Sequence, residues 1–244
     1  MAYAGGVIAG AEPFARSLRL LEGVQPGGVM SVDTETDGFS VRQGARATVV
    51  SMAWRSADGV GHSVAFPFGQ GEGRHQIWAP PGTWELVLEK LAMSRLVMFH
   101  AHFDHPILEA GTRRAPGVDL GPNVEWCGMV GERAIIGGPT GGLKPTAERN
   151  NLLGGGERDG EEAIARYMVE HHLDKGDLHR VPWPVIQPYA RIDAVLAYRL
   201  FEHHQVQLPL LSPEVRARVE AKMSALRAKL SNGNVQIDMA IDAA

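Results

Sequence analysis

Cysteine and long apolar runs are almost absent from this chain. Cys127 is the single cysteine among 244 residues, so no disulfide can form within the chain, and a reducing cytoplasm fits this composition. No apolar run approaches the ~20 residues that cross a membrane. Residues 1–10 lack the basic segment and the apolar core of a signal peptide. We therefore expect a cytoplasmic protein with no membrane partner.

An excess of positive charge is absent as well. Lysine and arginine total 24 against 28 aspartate and glutamate residues, a formal net charge of −4. The overall charge therefore gives no sign of nucleic-acid binding, and any such site must be local. The chain does have 44% hydrophobic residues, which support a substantial core. Its length suits one large domain or two small ones.

Apolar periodicity predicts strands first and helices later. The predicted strands are 29–36, 47–55, 61–68, 95–101 and 124–129. The predicted helices are 13–22, one from Thr83, 103–110, 129–136, 144–151, 160–174 and 188–207. Turn signals join the first three strands into an antiparallel meander, and the strand–helix–strand order that follows implies a crossover to a parallel neighbour. The pattern predicts a mixed α/β fold with a helical C-terminal part.

Two carboxylates end the first predicted strand, where Val-Met-Ser-Val-Asp-Thr-Glu-Thr places Asp33 and Glu35 two residues apart. Side chains at i and i+2 of a strand point to the same face, so both acids project together. They repel each other unless a proton or a cation lies between them, and oxygen ligands suit Mg²⁺ and Mn²⁺. The pattern indicates a metal site; a solvated strand edge is the simpler alternative.

A third acid follows the fourth predicted strand. Asp104 comes just beyond the carboxyl end of this strand, where α/β sheets place ligands. His100, His102 and His105 surround Asp104 and invite a zinc interpretation. We favour the alternative without zinc, because His102 and His105 fall on different sides of a strand-to-helix corner and no cysteine is near.

The last long predicted helix carries Tyr189 and Asp193, which are four residues apart and share one face. Apolar residues lie on or beside that face, so it turns inward. An aspartate there is costly unless it meets a cation, a hydroxyl or a backbone N–H, and the pattern leaves these alternatives open. The histidine pairs at 171–172 and 203–204 are expected on solvated helix faces.

The order of these motifs resembles the DEDD (DnaQ-like) superfamily of 3′→5′ exonucleases, which have a ribonuclease H-like fold. The motifs are residues 32–38, 97–104 and 189–193, with a weaker match in Gly-Leu-Lys-Pro-Thr-Ala at 142–147. The histidine subgroup would have histidine at Pro188, so Tyr189 indicates the tyrosine subgroup (DEDDy). That subgroup includes the proofreading domains of family A (Pol I-type) DNA polymerases. The chain departs from the family in having His100 where asparagine is common.

The resemblance implies two-metal phosphodiester hydrolysis in a mixed five-stranded sheet flanked by helices. It implies that Asp33, Glu35 and Asp193 hold one Mg²⁺ or Mn²⁺ ion. Asp33 and Asp104 hold a second ion, roughly 3.5–4 Å away. Tyr189 then orients the attacking water. The implied function is removal of nucleotides from DNA 3′ ends during replication proofreading or repair, in a bacterium or a phage-infected host.

The resemblance also implies contacts to single-stranded DNA or to a frayed 3′ end. The expected contact residues are Thr36, Gly38, Phe39, His100 and Phe103. Phe39 follows the Asp37-Gly38 turn, where family A domains have an apolar wedge against the terminal bases. Covering the edge of the core is the alternative role for Phe39.

Two other functions remain open at this point. An RNA-trimming nuclease similar to ribonuclease D carries the same motifs, although the lack of a following helical RNA-binding domain favours DNA. A non-catalytic nuclease fold could also serve as a scaffold for a polymerase. The complete set of four acids argues against the scaffold, because an inactive copy has no need of them.

The resemblance divides the chain into an N-terminal extension (1–28), an exonuclease domain (29–207) and a C-terminal amphipathic helix with a tail (208–244). After the helix start signal Ser212-Pro213, an apolar stripe is formed by Val215, Val219, Met223, Leu226 and Leu230. It is similar to the segment that joins exonuclease to polymerase in family A enzymes, where an extended stretch, here 235–238, follows an Asn-Gly turn. Three alternatives follow: the helix packs on its own domain, the chain is a fragment, or a separate DNA polymerase subunit docks on 212–244.

Overall fold

The computed structural model describes residues 7–8, 14–154 and 157–232. Within these ranges, seven strands form one mixed sheet in the spatial order β1-β5-β4-β3-β2-β6-β7. The strands are β1 (Val7–Ile8), β2 (Val29–Thr36), β3 (Ala47–Arg55), β4 (Gly61–Gln70), β5 (Ile77–Trp78), β6 (Arg95–Met98) and β7 (Val124–Cys127). Helices flank this sheet and dominate the C-terminal part, so the predicted α/β class is confirmed.

The predicted meander forms one half of the sheet. β2 pairs antiparallel with β3, which places Asp33 opposite Ser51, and β3 pairs antiparallel with β4. On its other side β2 pairs parallel with β6, and β6 pairs parallel with β7. All five predicted strands are present, but the sheet is larger than predicted because β1 and β5 extend it beyond β4. Strands of two residues are too short to show an alternation pattern.

The helices follow the predicted order. They are α1 (Ala15–Glu22), α2 (Thr83–Ala92), α3 (Ala101–Ala110), α4 (Gly128–Ile136), α5 (Leu143–Arg149), α6 (Glu157–Glu170), α7 (Trp183–Gln207) and α8 (Pro213–Ser231). The predicted start of α7 at residue 188 is wrong. Pro184 occupies the first turn, where a missing N–H costs nothing, and Pro188 lies inside the helix. Burial of the apolar face of α7 against the sheet offsets the hydrogen bond that Pro188 cannot make.

Helix α7 crosses the sheet and is fixed to it by a buried serine. Ala190, Ala194 and Leu200 on this helix are fully buried. The hydroxyl of Ser31 on β2 lies 2.6 Å from the carbonyl oxygen of Ala194 and donates a hydrogen bond to it. Asp193, next to Ala194, is therefore held above the strand that carries Asp33.

The expectation that His204 is solvated is wrong. Its ring is fully buried between α7, α4 and β7. Trp126 Nε1 donates to His204 Nδ1 at 3.2 Å, and His204 Nε2 lies 2.7 Å from Glu132 Oε2. The hydrogen bonds to Trp126 and to the buried carboxylate of Glu132 offset the cost of burying the polar imidazole ring. The bond between His204 and Glu132 joins residues that are 72 positions apart in the chain.

The C-terminal helix α8 packs on its own chain. Its apolar residues Val219, Met223, Leu226 and Leu230 are buried, and the helix lies against α4. Of the three alternatives for this segment, packing on its own domain is the one that the structure shows for 213–231. The predicted extended stretch at 235–238 lies outside the described residues.

Candidate metal centre

Asp33 and Glu35 lie on the part of β2 that extends beyond its parallel neighbour β6. The pairing of β2 with β6 ends at Ser31, because β6 stops at Met98 and the chain turns into α3. Asp104 on α3 is thereby placed beside the end of β2. The backbone N–H and the hydroxyl of Thr34 donate to Asp104 Oδ1 at 3.2 and 2.7 Å. Thr34 therefore holds the third acid next to the first two.

Helix α7 brings the fourth acid to the same place. Carboxylate oxygens of Asp33, Glu35 and Asp193 all lie within 4.8 Å of one another. Asp33 also interacts electrostatically with Asp104. All four acids line one small cavity of about 190 Å³, the acid cavity. The structure thus brings together the four acids that come from three separate sequence motifs.

The surroundings of the four acids oppose their ionisation. Burial raises the pKa of Glu35 from 4.5 to about 8, and the charge of Asp193 adds to this. Burial also raises the pKa of Asp104 from 3.8 to about 7, against the hydrogen bonds from Thr34. Burial, and then the charges of Asp104 and Glu35, raise the pKa of Asp33 well above its usual range. Burial raises the pKa of Asp193 too, although Lys144 acts in the opposite direction.

Lys144 is the residue of this site whose role the sequence did not reveal. Its Nζ lies 3.1 Å from Asp193 Oδ1 and 3.7 Å from the centre of the Tyr189 ring, and its side chain is 12% exposed. The Leu-Lys match at 142–147 was the available signal, but a motif cannot show that α5 packs against α7. This contact between helices places the ammonium group of Lys144 against Asp193, at the edge of the acid cavity.

Tyr189 and Asp193 both line the acid cavity, one helical turn apart on α7. Burial raises the pKa of its hydroxyl above the usual value, and the charges of Asp193, Glu35 and Asp33 raise it further. The hydroxyl therefore stays protonated at neutral pH. It can orient another group by hydrogen bonding, but it cannot act as a phenolate base.

The five predicted substrate contacts divide into two groups. His100 and Phe103 line the acid cavity, with their rings stacked 6.1 Å apart. Thr36, Gly38 and Phe39 lie beyond the acids at the end of β2, and the Thr36 hydroxyl donates to the Gly38 carbonyl oxygen at 2.5 Å. Phe39 is 45% exposed, so it does not simply cover the core, and its substrate role stays a prediction.

The three histidines near Asp104 point in different directions. His100 lines the acid cavity, whereas His102 lines a separate groove between α4 and α8. His105 is fully buried, and its two ring nitrogens lie 3.5 and 3.4 Å from carboxylate oxygens of Glu109 and Asp119. His100, His102 and His105 therefore do not share one zinc site, although ligand atoms of His105, Glu109 and Asp119 lie within 4.8 Å of one another.

The acid cavity has the donor set that a hard divalent cation requires. Every candidate ligand is a carboxylate oxygen, which suits Mg²⁺ or Mn²⁺. Asp193 Oδ1 is buried, and the ammonium group of Lys144 lies 3.1 Å from it. A bound cation would relieve the mutual repulsion of the four acids. The residues present therefore fit a metal centre.

Two comparisons with known proteins identified no relative of this chain. A scan against models of protein families found no match for this chain. A search of curated proteins found none either. Among the helices of the described ranges, none combines the length and apolarity required to span a membrane. The functional interpretation therefore depends on the residues and their geometry.

Proposed function

We propose that this chain is a 3′→5′ exonuclease of the DEDD superfamily, tyrosine subgroup, with a ribonuclease H-like fold. It hydrolyses the terminal phosphodiester of a DNA 3′ end, in proofreading or repair. One observation carries the proposal: Asp33, Glu35, Asp104 and Asp193 meet Tyr189 in a single cavity. The mixed sheet, in which an antiparallel meander continues into two parallel strands, supports the fold.

Each acid has a distinct place in the proposed metal centre. Asp33, Glu35 and Asp193 would hold one divalent ion, and Asp33 with Asp104 would hold the other. When bound, such ions lower the pKa of a coordinated water and stabilise the leaving oxygen of an in-line displacement. Thr34 keeps Asp104 in position by two hydrogen bonds to the same oxygen.

The other side chains of the cavity position the substrate and its attacking water. The protonated hydroxyl of Tyr189 donates a hydrogen bond that orients the water, and it does not remove the proton of that water. The rings of His100 and Phe103 form one wall, against which the terminal nucleotide lies. Lys144 places a positive charge beside the scissile phosphate and holds the ring of Tyr189 through a cation–π contact.

The destabilisation caused by the four acids favours an enzyme over a non-catalytic scaffold. Four carboxylates with raised pKa values destabilise the folded chain at neutral pH, and a scaffold gains nothing from them. The motifs do not distinguish DNA from RNA, so trimming of RNA 3′ ends is the second candidate. A separate polymerase subunit remains a proposed partner for 212–244. Because the apolar residues of α8 are buried, such a partner would contact the polar face of this helix.

The decisive experiment is degradation of 3′-labelled strands. We expect single-stranded DNA to be shortened from the 3′ end faster than RNA in Mg²⁺, and EDTA to stop the reaction. Asp33→Ala and Asp193→Ala should abolish cleavage without unfolding the chain. Asp58→Ala, at an exposed turn between β3 and β4, is the matched control and should retain it.

Three outcomes separate the candidates. Faster loss of RNA than of DNA assigns the ribonuclease role. No cleavage of either strand by the wild-type chain, with Mg²⁺ and Mn²⁺ both tried, assigns the scaffold. Cleavage by Asp33→Ala at the wild-type rate overturns the metal centre itself.

A further inference from the structure

A strongly basic groove runs between α4 and α8. Its volume is about 560 Å³, and it is lined by Arg133, Arg218, Lys222 and Lys229 together with His102. Among the described residues, no carboxylate lines this groove. Because the whole chain carries a net charge of −4, a groove lined by four positive side chains has a local charge opposite to that of the protein. Such a groove attracts anions.

Only part of this charge is explained by the packing of the fold. Arg218 Nε donates to the carbonyl oxygen of Ala134 at 2.7 Å, so Arg218 caps the C-terminal end of α4. Lys222 and Lys229 are exposed, and within the described residues neither forms an ion pair. No ion pair within the described part of the chain therefore neutralises their positive charges.

The basic residues of α8 form one row. Arg218, Lys222 and Lys229 are separated by four and then seven residues, which places them within about 40° on the same side of the helix. The row is roughly 16 Å long at 1.5 Å per residue. A row of this length matches an extended, regularly charged ligand better than a single small anion.

The groove begins beside the acid cavity. His100 lines the acid cavity and His102 lines the groove, and both belong to the start of α3. Their ring centres are 6.5 Å apart. The short distance between these rings places one end of the groove next to the acid cavity, on the side of His100.

We propose that this groove binds the phosphates of the single strand on the 5′ side of the scissile linkage. This inference rests on the proposed exonuclease function and identifies a substrate site that the acid motifs do not contain. Lysine offers a point charge without base contacts, so binding is independent of sequence and sensitive to salt. His102 is the one aromatic side chain among the described residues that line the groove, which leaves phosphate charge as the main determinant of binding.

An acidic protein segment is the rival occupant, and charge alone would allow it. Protein interfaces gain most of their affinity from buried tryptophan, tyrosine and arginine anchors. Among the described lining residues there is no tryptophan or tyrosine, Arg218 is exposed and already bonded to Ala134, and the two lysines are exposed as well. Proximity to the acid cavity favours the nucleic-acid strand.

The test compares two double charge reversals of equal net charge. The groove variant is Lys222→Glu with Lys229→Glu, which leaves the helix cap Arg218 in place. The control variant is Arg19→Glu with Arg216→Glu, two exposed arginines outside the groove, one of them also on α8. Binding of a labelled 20-nucleotide DNA strand is measured by fluorescence anisotropy in EDTA over a range of salt, and cleavage of 20- and 3-nucleotide strands is measured in Mg²⁺.

For the groove variant we expect at least tenfold weaker binding of the 20-nucleotide strand. The slope of log Kobs against log salt should fall by about 1.4, because two single-strand phosphate contacts contribute about 0.7 each. The ratio of kcat/KM for the 20-nucleotide strand to that for the 3-nucleotide strand should fall similarly. The control variant should resemble the wild type in each measurement.

Several results would overturn the groove while leaving the proposed function intact. One is an active groove variant that binds and cleaves the long strand like the control. Another is loss of binding to polyglutamate with unchanged DNA binding, which assigns the groove to an acidic protein. Conversely, a wild-type chain that cleaves nothing, but whose DNA binding depends on Lys222 and Lys229, supports the groove and overturns the exonuclease.

Discussion

The ammonium nitrogen of Lys144 lies 3.1 and 3.2 Å from the two carboxylate oxygens of Asp193. This ion pair is nearly enclosed, since the two side chains are only 12% and 11% exposed. In the metal-free protein, Lys144 therefore supplies positive charge to a cavity that holds four acids. A divalent ion bound by Asp193 would have to share this carboxylate with Lys144.

Replacing Lys144 by methionine should have opposite effects on the metal-free protein and on metal binding. Without metal, we expect the free energy of unfolding to fall by about 1–3 kcal/mol, because the buried Asp193 loses its charged partner. Uptake of a proton by the acid cluster limits this loss. Affinity for Mn²⁺ should rise, since a competing cation is gone.

Thermal melting in EDTA measures the change in stability, and titration calorimetry measures the change in Mn²⁺ affinity, with the exposed Lys175→Met as control. Loss of both stability and metal affinity would mean that Lys144 holds the site together.

The acid cluster should make the stability of the metal-free protein fall as pH rises. The pKa of Glu35 is raised to about 8 and that of Asp104 to about 7, so the folded state binds these protons more tightly than the unfolded state. Their stabilising contribution is complete below about pH 4 and is lost as pH rises through 7 and 8. Mg²⁺ should remove this loss and release protons on binding at pH 7. Melting temperatures from pH 5 to 8, with EDTA and with Mg²⁺, provide the measurement, and parallel curves would contradict the metal centre.

Tyr189→Phe should slow cleavage while leaving metal affinity almost unchanged. The substitution removes the hydroxyl that orients the water but keeps the ring that Lys144 contacts. We expect a decrease in kcat of ~10–1000-fold, the range of a positioned acid–base group. Tyr198→Phe, on the same helix but outside the acid cavity, is the control. An equal loss of Mn²⁺ affinity in calorimetry would place Tyr189 among the metal ligands instead.

Phe39→Ala should weaken binding of single-stranded DNA by about 1–3 kcal/mol, the contribution of one base stacked on an aromatic ring. Phe39 is 45% exposed beyond the acids of β2, so its loss should leave the melting temperature nearly unchanged. Leu210→Ala, which also removes an exposed apolar side chain, serves as the comparison. Equal DNA affinity for the two variants would remove Phe39 from the binding site.

Glu132→Gln should destabilise the chain at neutral pH. It should also make the free energy of unfolding less dependent on pH in the acidic range. Burial acts to raise the pKa of Glu132, but hydrogen bonds from His204, Arg149 and Asn150 outweigh it and lower this pKa from 4.5 to about 2. The resulting stabilisation is present above pH 4.5 and is lost as pH falls through 2. We expect the variant to lose about 1.5–3 kcal/mol of unfolding free energy at pH 7, as for hydrogen bonds to a charged group.

Glu125→Gln, at an exposed pair with Arg95, is the control for this effect. Denaturant unfolding at pH 7 and at steps down to pH 2 separates the two variants. If the two variants lose the same unfolding free energy at each pH, the buried network around Glu132 stabilises the chain no more than an exposed ion pair does.

Local pattern was enough to predict most of the elements. Short apolar runs bounded by turn signals mark β2 and β3, and the apolar stripe at 219, 223, 226 and 230 marks α8, because both depend only on neighbours along the chain. The spacing of Asp33 and Glu35 likewise determines that they project from one strand. The additional strands β1 and β5 were missed because a pair of residues carries no period.

The sequence by itself determined which acids can form the site, since the motif order identified Asp33, Glu35, Asp104 and Asp193. Only the tertiary structure decided what surrounds them. Lys144 meets Asp193 across 49 residues, and His204 meets Glu132 across 72. The apolar stripe of α8 could equally have faced a partner until its burial against α4 was seen. Burial and charge pairing depend on which distant elements pack together, and no local spacing of residues encodes that choice.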